Sequence, residues 1–197
     1  MDYIYNYIET IKAHTRVAYD KLVDLPNYKY SEKSNIKRIS ESPNLITETI
    51  ICWSEPTQII DHLYLGSAHN AANFNHLNNN HIKVVINMAE ELSNYFPSNF
   101  EYHNFKSYDN NKTDMKSHIK NAYNIIKQND DKNILVHCYV GASRSVSVIL
   151  YYLVKEGHCL TVQEAIEYIK EKRTIINPTF KIIENINELL EDSSFLE

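Results

Sequence analysis

The stretch from Asn133 to Lys155, NILVHCYVGASRSVSVILYYLVK, constrains the fold of this chain more than any other. Ile134-Leu135-Val136 is a continuous apolar run, too short for an amphipathic helix and suited to a strand buried on both faces. Ser143 to Val154 is rich in branched apolar residues and long enough for a buried helix. Cys138 to Arg144 must therefore turn the chain from strand to helix, and Gly141 and Ala142 let the backbone curve there at little steric cost. Such a turn aims backbone N–H groups inward, and the helix behind it adds a partial positive charge, so the loop is suited to holding an anion.

A thiol at the start of such a cradle lies in a positive field and ionises below its ordinary value of about 8.5, which predicts a nucleophile at Cys138. Arg144, at the far end, can present a planar fork to two oxygens of a bound phosphate, for which lysine has the wrong geometry. Ser145 follows directly, where its hydroxyl would reach the sulfur and help it leave. The competing reading of Cys138 is a small buried hydrophobe in a core strand.

The segment HCYVGASRS resembles the cysteine, five residues, arginine phosphate loop of the protein tyrosine phosphatases, and the small residues before Arg144 resemble the dual-specificity branch. Elsewhere, IIDHLYLGSAHNAAN is similar to the opening of a dual-specificity phosphatase domain and IKVVINMAEE to the strand and turn that follow it. RTIINPTF, residues 173–180, resembles the segment before that family's last helix. The resemblance runs from about residue 56 to 191. It implies a three-layer αβα fold, with a central, mainly parallel sheet of about five strands flanked by helices. It also implies a phosphocysteine mechanism in which Arg144 and the amides of Tyr139, Val140, Gly141, Ala142 and Ser143 hold the phosphate.

That chemistry needs an acid to protonate the departing oxygen. Asp109, in Lys106-Ser107-Tyr108-Asp109, follows a predicted strand, and its distance before Cys138 is similar to that of the family's acid. Asp114 is the competitor, read instead as a first-turn helix residue whose charge suits the dipole. His137 either orients the loop and tunes the thiol through a hydrogen bond or is a satisfied structural histidine. Asn177, ahead of Pro178, is expected to cap the last helix and support the site. The phosphate charge is met by Arg144 and the amides, and the histidines show no ligand spacing, so neither a metal nor a cofactor is expected.

Along the chain, Ile4, Ile8, Ile11, Thr15, Ala18, Leu22 and Leu25 form one helical stripe that Pro26 ends, predicting an amphipathic helix over residues 1–25. It is read as packing on its own catalytic domain, with a homodimer through the same stripe or the docking of a partner as the alternative. Residues 26–55 have no sustained period and read as a linker or surface arm; Cys52 and Trp53 at its end read as core. Residues 56–197 form the catalytic domain. Short strands are expected at Ile59-Ile60, Leu63 to Leu65, Ile82 to Asn87 and Glu101 to Lys106. One helix should carry Ala71, Phe74 and Leu77 on a single face, and another should run from about Asp114 to Gln128. Thr161 and Glu164 predict a capping box for a helix to about Lys172, and Phe180, Ile183, Ile186, Leu189 and Leu190 an inward face on the last helix.

A formal net charge of -5 argues against a general nucleic-acid binder. Three cysteines with no evident pairing framework indicate a reducing compartment, no apolar run has the length of a membrane span, and the acidic start is unlike a signal peptide. Together with this setting, the resemblance implies a cytoplasmic phosphatase of phosphotyrosine, with phosphoserine and phosphothreonine, as the expectation. The alternatives are an RNA 5′-phosphatase or an inert phosphopeptide-binding scaffold.

Overall fold

The computed structural model describes residues 54–107 and 115–194. The expected helix over residues 1–25, most of the arm, Cys52, Trp53, Asp109 and Asp114 lie outside the described residues.

Five strands alternate with helices: β1 Thr57–Ile60, β2 Leu63–Gly66, α1 Ala68–Ala72, α2 Phe74–Asn79, β3 Ile82–Asn87 and β4 Glu101–Asn104 come first. Then follow α3 Met115–Gln128, β5 Asn133–His137, α4 Arg144–Lys155, α5 Val162–Lys172 and α6 Phe180–Ser194. The sheet order is β1-β2-β5-β3-β4. Only the β1–β2 pairing is antiparallel, while β2, β5, β3 and β4 run parallel, as the expected fold requires.

Alternation along the central strands divides their side chains between two cores. Ile134 and Val136 of β5, with Val84 and Ile86 of β3, join the larger core under α3, α4, α5 and α6. Leu135 and Val85 point the other way, into a smaller core with Tyr64, Ala71 and Leu77. Helices on both faces thus explain why β5 reads as an unbroken apolar run. None of the helices among the described residues is long and apolar enough to cross a membrane.

Local chemistry corrects several expected boundaries. The single helix through Ala71, Phe74 and Leu77 is split at Asn73, whose side chain accepts from Asn75 N and His76 N and caps α2; Phe74 is left 40% exposed. β4 ends at Asn104 rather than Lys106. Thr161 Oγ1 accepts from Glu164 N, but Glu164 Oε2 reaches back to Leu160 N rather than to Thr161, so the box is displaced by one residue. Gly157 takes a positive φ of 73° beyond the end of α4, the left-handed conformation that commonly stops a helix. The last helix starts at Phe180, with Thr179 Oγ1 accepting from Ile182 N, so Asn177 and Pro178 do not open it. Phe180 is 81% exposed, and Ile182 takes the inward place with Ile186 and Leu189.

Candidate active site

Parallel register brings the carboxyl ends of four strands to one edge. Gly66 of β2 and Asn87 of β3 both lie beside His137 of β5, and Asn104 of β4 lies beside Asn87. In open α/β sheets this edge is where ligands bind. The chain leaves β5 through His137 into buried Cys138, runs through the loop, and enters α4 at Arg144. Ser143, the N-cap of α4, makes no side-chain cap hydrogen bond, so its own hydroxyl does not occupy the first-turn N–H groups.

Cys138 Sγ accepts from Gly141 N at 3.3 Å and from Ser145 Oγ at 3.3 Å, so Ser145 stands against the sulfur as its sequence position predicted. Four successive loop carbonyls are bound from outside. Tyr139 O accepts from Ala68 N at 3.0 Å and Ala142 O from Asn177 N at 2.8 Å. Val140 O accepts from Arg173 Nη2 and Gly141 O from Arg173 Nε, both at 2.9 Å. In a trans peptide the N–H points opposite to the C=O, so the amides of Val140, Gly141, Ala142 and Ser143 are turned toward the cradle. Gly141 has φ 77°, and a Cβ there would lie 2.4 Å from Gly66 O, so the loop's approach to the end of β2 needs glycine.

Arg144 is buried and forks onto Glu91: Nη2 donates to Oε1 at 2.6 Å and Nη1 to Oε2 at 2.8 Å, with a further bond from Nη1 to Ser107 O at 3.0 Å. Burial alone would raise the Glu91 carboxyl, but the hydrogen bonds and charge of Arg144 win and hold it below the usual carboxylate range. Glu91 is delivered by the turn after β3, where Asn87 Oδ1 accepts from Ala89 N and Asn87 Nδ2 donates to Leu92 O. Ser107, fully buried, is fixed in turn by His118 Nδ1 at 2.8 Å from its hydroxyl.

His137 is buried, with Nδ1 3.4 Å from Cys138 O. Desolvation lowers its pKa to about 4, against the hydrogen bond to Cys138, and the Arg144 charge adds to the lowering, so the ring is neutral at pH 7. The structure thus brings His137, Cys138, Arg144, Ser145 and the loop amides together, with Asn177 attached through its backbone rather than as a helix cap. Among the described residues, no three His, Cys, Asp or Glu side chains are grouped so that they could hold a metal ion.

Two participants escaped the sequence reading. Glu91 ends the segment IKVVINMAEE, where an acidic pair after a strand looks like a solvated turn. Arg173, at the end of α5, looks like an ordinary helix-terminal cation. The one available signal for both was the resemblance of their segments to fixed parts of one family.

A family model described as the dual specificity phosphatase catalytic domain matches residues 63–192. Protein phosphatase Slingshot homolog 2 of Homo sapiens is 36% identical over 135 residues, covering 68% of this chain and 9% of that protein. Protein phosphatase Slingshot of Drosophila melanogaster is 37% identical over 125 residues, covering 62% of this chain and 12% of its own length. The chain therefore spans only about a tenth of these relatives. The crystal structure of DUSP15 superposes with a TM-score of 0.66 at 26% identity, covering 71% of this chain and 90% of that one.

Proposed function

Because the chain belongs to the dual specificity phosphatase catalytic-domain family, we propose that it hydrolyses phosphate monoesters of phosphoproteins, phosphotyrosine with phosphoserine and phosphothreonine, through a phosphocysteine intermediate. The observation that carries this reading is the pair of hydrogen bonds on Cys138 Sγ, from Gly141 N and Ser145 Oγ, inside a loop whose neighbouring amides face the same way. The Slingshot relatives are named as protein phosphatases, which favours a phosphoprotein over RNA or an inert scaffold role. A reducing, cytoplasmic setting would keep the thiol free.

In the first step the Cys138 thiolate attacks phosphorus and forms the S–P bond as the P–O bond to the leaving group breaks. Arg144 and the amides of Tyr139 to Arg144 meet the charge on the other phosphate oxygens, and Asp109 gives its proton to the departing oxygen. In the second, water attacks the phosphocysteine, Asp109 takes its proton, and the S–P bond breaks to release inorganic phosphate. Ser145 Oγ, already on the sulfur, donates to the returning thiolate. Glu91 holds the plane of the Arg144 guanidinium beside the loop, and neutral His137 steadies the residue that carries the sulfur.

Turnover of a phosphotyrosine peptide, a phosphothreonine peptide and a triphosphate-ended RNA, compared on the full chain, tests this reading. Cys138→Ser should abolish activity without loss of fold, because an alcohol is a far weaker nucleophile than a thiol. Asp109→Asn should slow phosphotyrosine hydrolysis by about 10²–10⁴-fold, and activated aryl phosphates much less. The same leaving-group dependence at Asp114→Asn instead would move the acid to Asp114, and preferred turnover of the RNA would replace the protein substrate.

A further inference from the structure

We propose that Arg173 is a positioning residue of the phosphate loop: from outside the loop, its guanidinium holds the Val140 and Gly141 peptides so that the following N–H groups face the bound anion. The inference deepens the phosphatase reading and rests on it. Arg173 is among the largest fully buried side chains of the described residues, and it lies at the end of α5, where its own N–H is tied to Ile169 O at 2.8 Å. From that anchor Nη2 reaches Val140 O and Nε reaches Gly141 O, both at 2.9 Å, and Nη1 reaches Thr57 Oγ1 at 3.3 Å. One side chain thus serves two of the four successive carbonyls that point away from the cradle.

Each of those peptides has an alternative orientation. Turning a peptide plane over would aim its carbonyl oxygen at the anion and its N–H away, converting attraction into repulsion. A buried carbonyl bonded to a cation resists that turn, since flipping it leaves donor and acceptor both unpaired. The direct product of the held geometry is Gly141 N on Cys138 Sγ at 3.3 Å. A second observation is independent of the hydrogen bonds: a Cβ at Gly141 would lie 2.8 Å from Arg173 Nη2, so the guanidinium stands where a side chain at 141 would have to go. The glycine and the arginine fit each other. A merely structural arginine, anchoring α5 to β1 through Thr57, would affect stability and leave anion binding alone.

The test measures binding of inorganic phosphate to the full chain by calorimetry, alongside turnover of a phosphotyrosine peptide and Tm. Arg173→Met keeps length and packing but removes every donor, and should weaken phosphate binding by about tenfold or more, because two peptides lose their restraint. Arg173→Lys can serve one carbonyl but not both, and should fall between wild type and Arg173→Met, a partial rescue. Thr57→Val removes one side-chain partner outside the loop and should leave phosphate affinity unchanged. If Arg173→Met does not fold, Arg173→Lys decides. A folded Arg173→Lys with phosphate affinity within about twofold of wild type, whatever its Tm, overturns the proposal. Phosphate affinity that depends on Arg173 in a chain with no turnover would refute the phosphatase reading and leave this inference standing. Wild-type turnover with Arg173-independent phosphate binding would do the reverse.

Discussion

Arg144 and Arg173 are both buried guanidinium groups against the same short loop, yet they are held in opposite ways. Arg144, on the anion's side, is forked onto the Glu91 carboxylate, whose side chain is 44% exposed. Arg173, on the outer side, is bound to two backbone carbonyls and a threonine hydroxyl. The difference follows from the task. In the proposed function Arg144 meets a phosphate, and the partner that orients it is one that solvent reaches. A cation that shapes backbone is locked to it and shielded from water. Arginine suits both because one planar fork matches either two carboxylate oxygens or two neighbouring carbonyls.

The largest expected effect lies on the anion side. Arg144→Lys keeps the charge but cannot grip two oxygens, and should lower kcat/KM by about 10²–10³-fold, the loss typical of a transition-state donor. Arg173→Lys should cost clearly less. Steady-state kinetics on one phosphotyrosine peptide make the comparison, and a larger loss for Arg173→Lys would invert the division of labour drawn above.

How much of this was legible in the sequence follows from where each interaction is encoded. Cys138, Gly141, Arg144 and Ser145 lie within one short stretch, so the strand, loop and helix that carry them, β5 to α4, could be read directly. The arginine partners could not. Glu91 and Arg173 reach the loop only after β3 and α5 are assembled around β5, and no local pattern separates them from surface charges. Helix starts failed for a related reason. Asn73 interrupts a face that has helical spacing, and Asn177 gives its backbone N–H to Ala142 O, leaving Thr179 to cap α6. In the first case a capping hydrogen bond outranks helical spacing, and in the second a tertiary hydrogen bond outranks a local capping signal.

A second contrast between the two cations is electrostatic, and His137 reports it. Its pKa is lowered from 6.5 to about 4, chiefly by burial, with the charge of Arg144 contributing. The folded state therefore binds fewer protons than the unfolded chain between those values. Stability from this site is fully present above pH 6.5 and is lost as pH falls toward 4, by about 3 kcal/mol at most. His137→Asn should flatten the fall in Tm between pH 6.5 and 4. Arg144→Met should reduce the same slope by removing part of the repulsion. An unchanged slope in His137→Asn would mean that another group carries the acid sensitivity.

The smallest expected effect is at Glu91, and there the sign has to be decided between two opposed terms. The carboxylate orients Arg144 through two hydrogen bonds, which favours phosphate binding, but it also carries a negative charge near the incoming dianion. Glu91 is 44% exposed, so solvent and salt weaken the long-range repulsion more than they weaken direct hydrogen bonds to buried Arg144. Orientation should win. Glu91→Gln retains one oxygen acceptor and loses the fork, and should lower kcat/KM by about tenfold, mostly through KM. The folded carboxyl sits below its ordinary value of 4.5, so the stability it contributes is present above that pH and is lost as pH falls through the lower folded value; Glu91→Gln should be less acid-sensitive in that range. Raising ionic strength should narrow the kinetic gap only slightly if the short hydrogen bonds carry the effect. A rise in kcat/KM for Glu91→Gln, strongest at low salt, would show instead that Glu91 restrains Arg144 from phosphate, and the solvent-reached partner would then be a brake on the cation it orients.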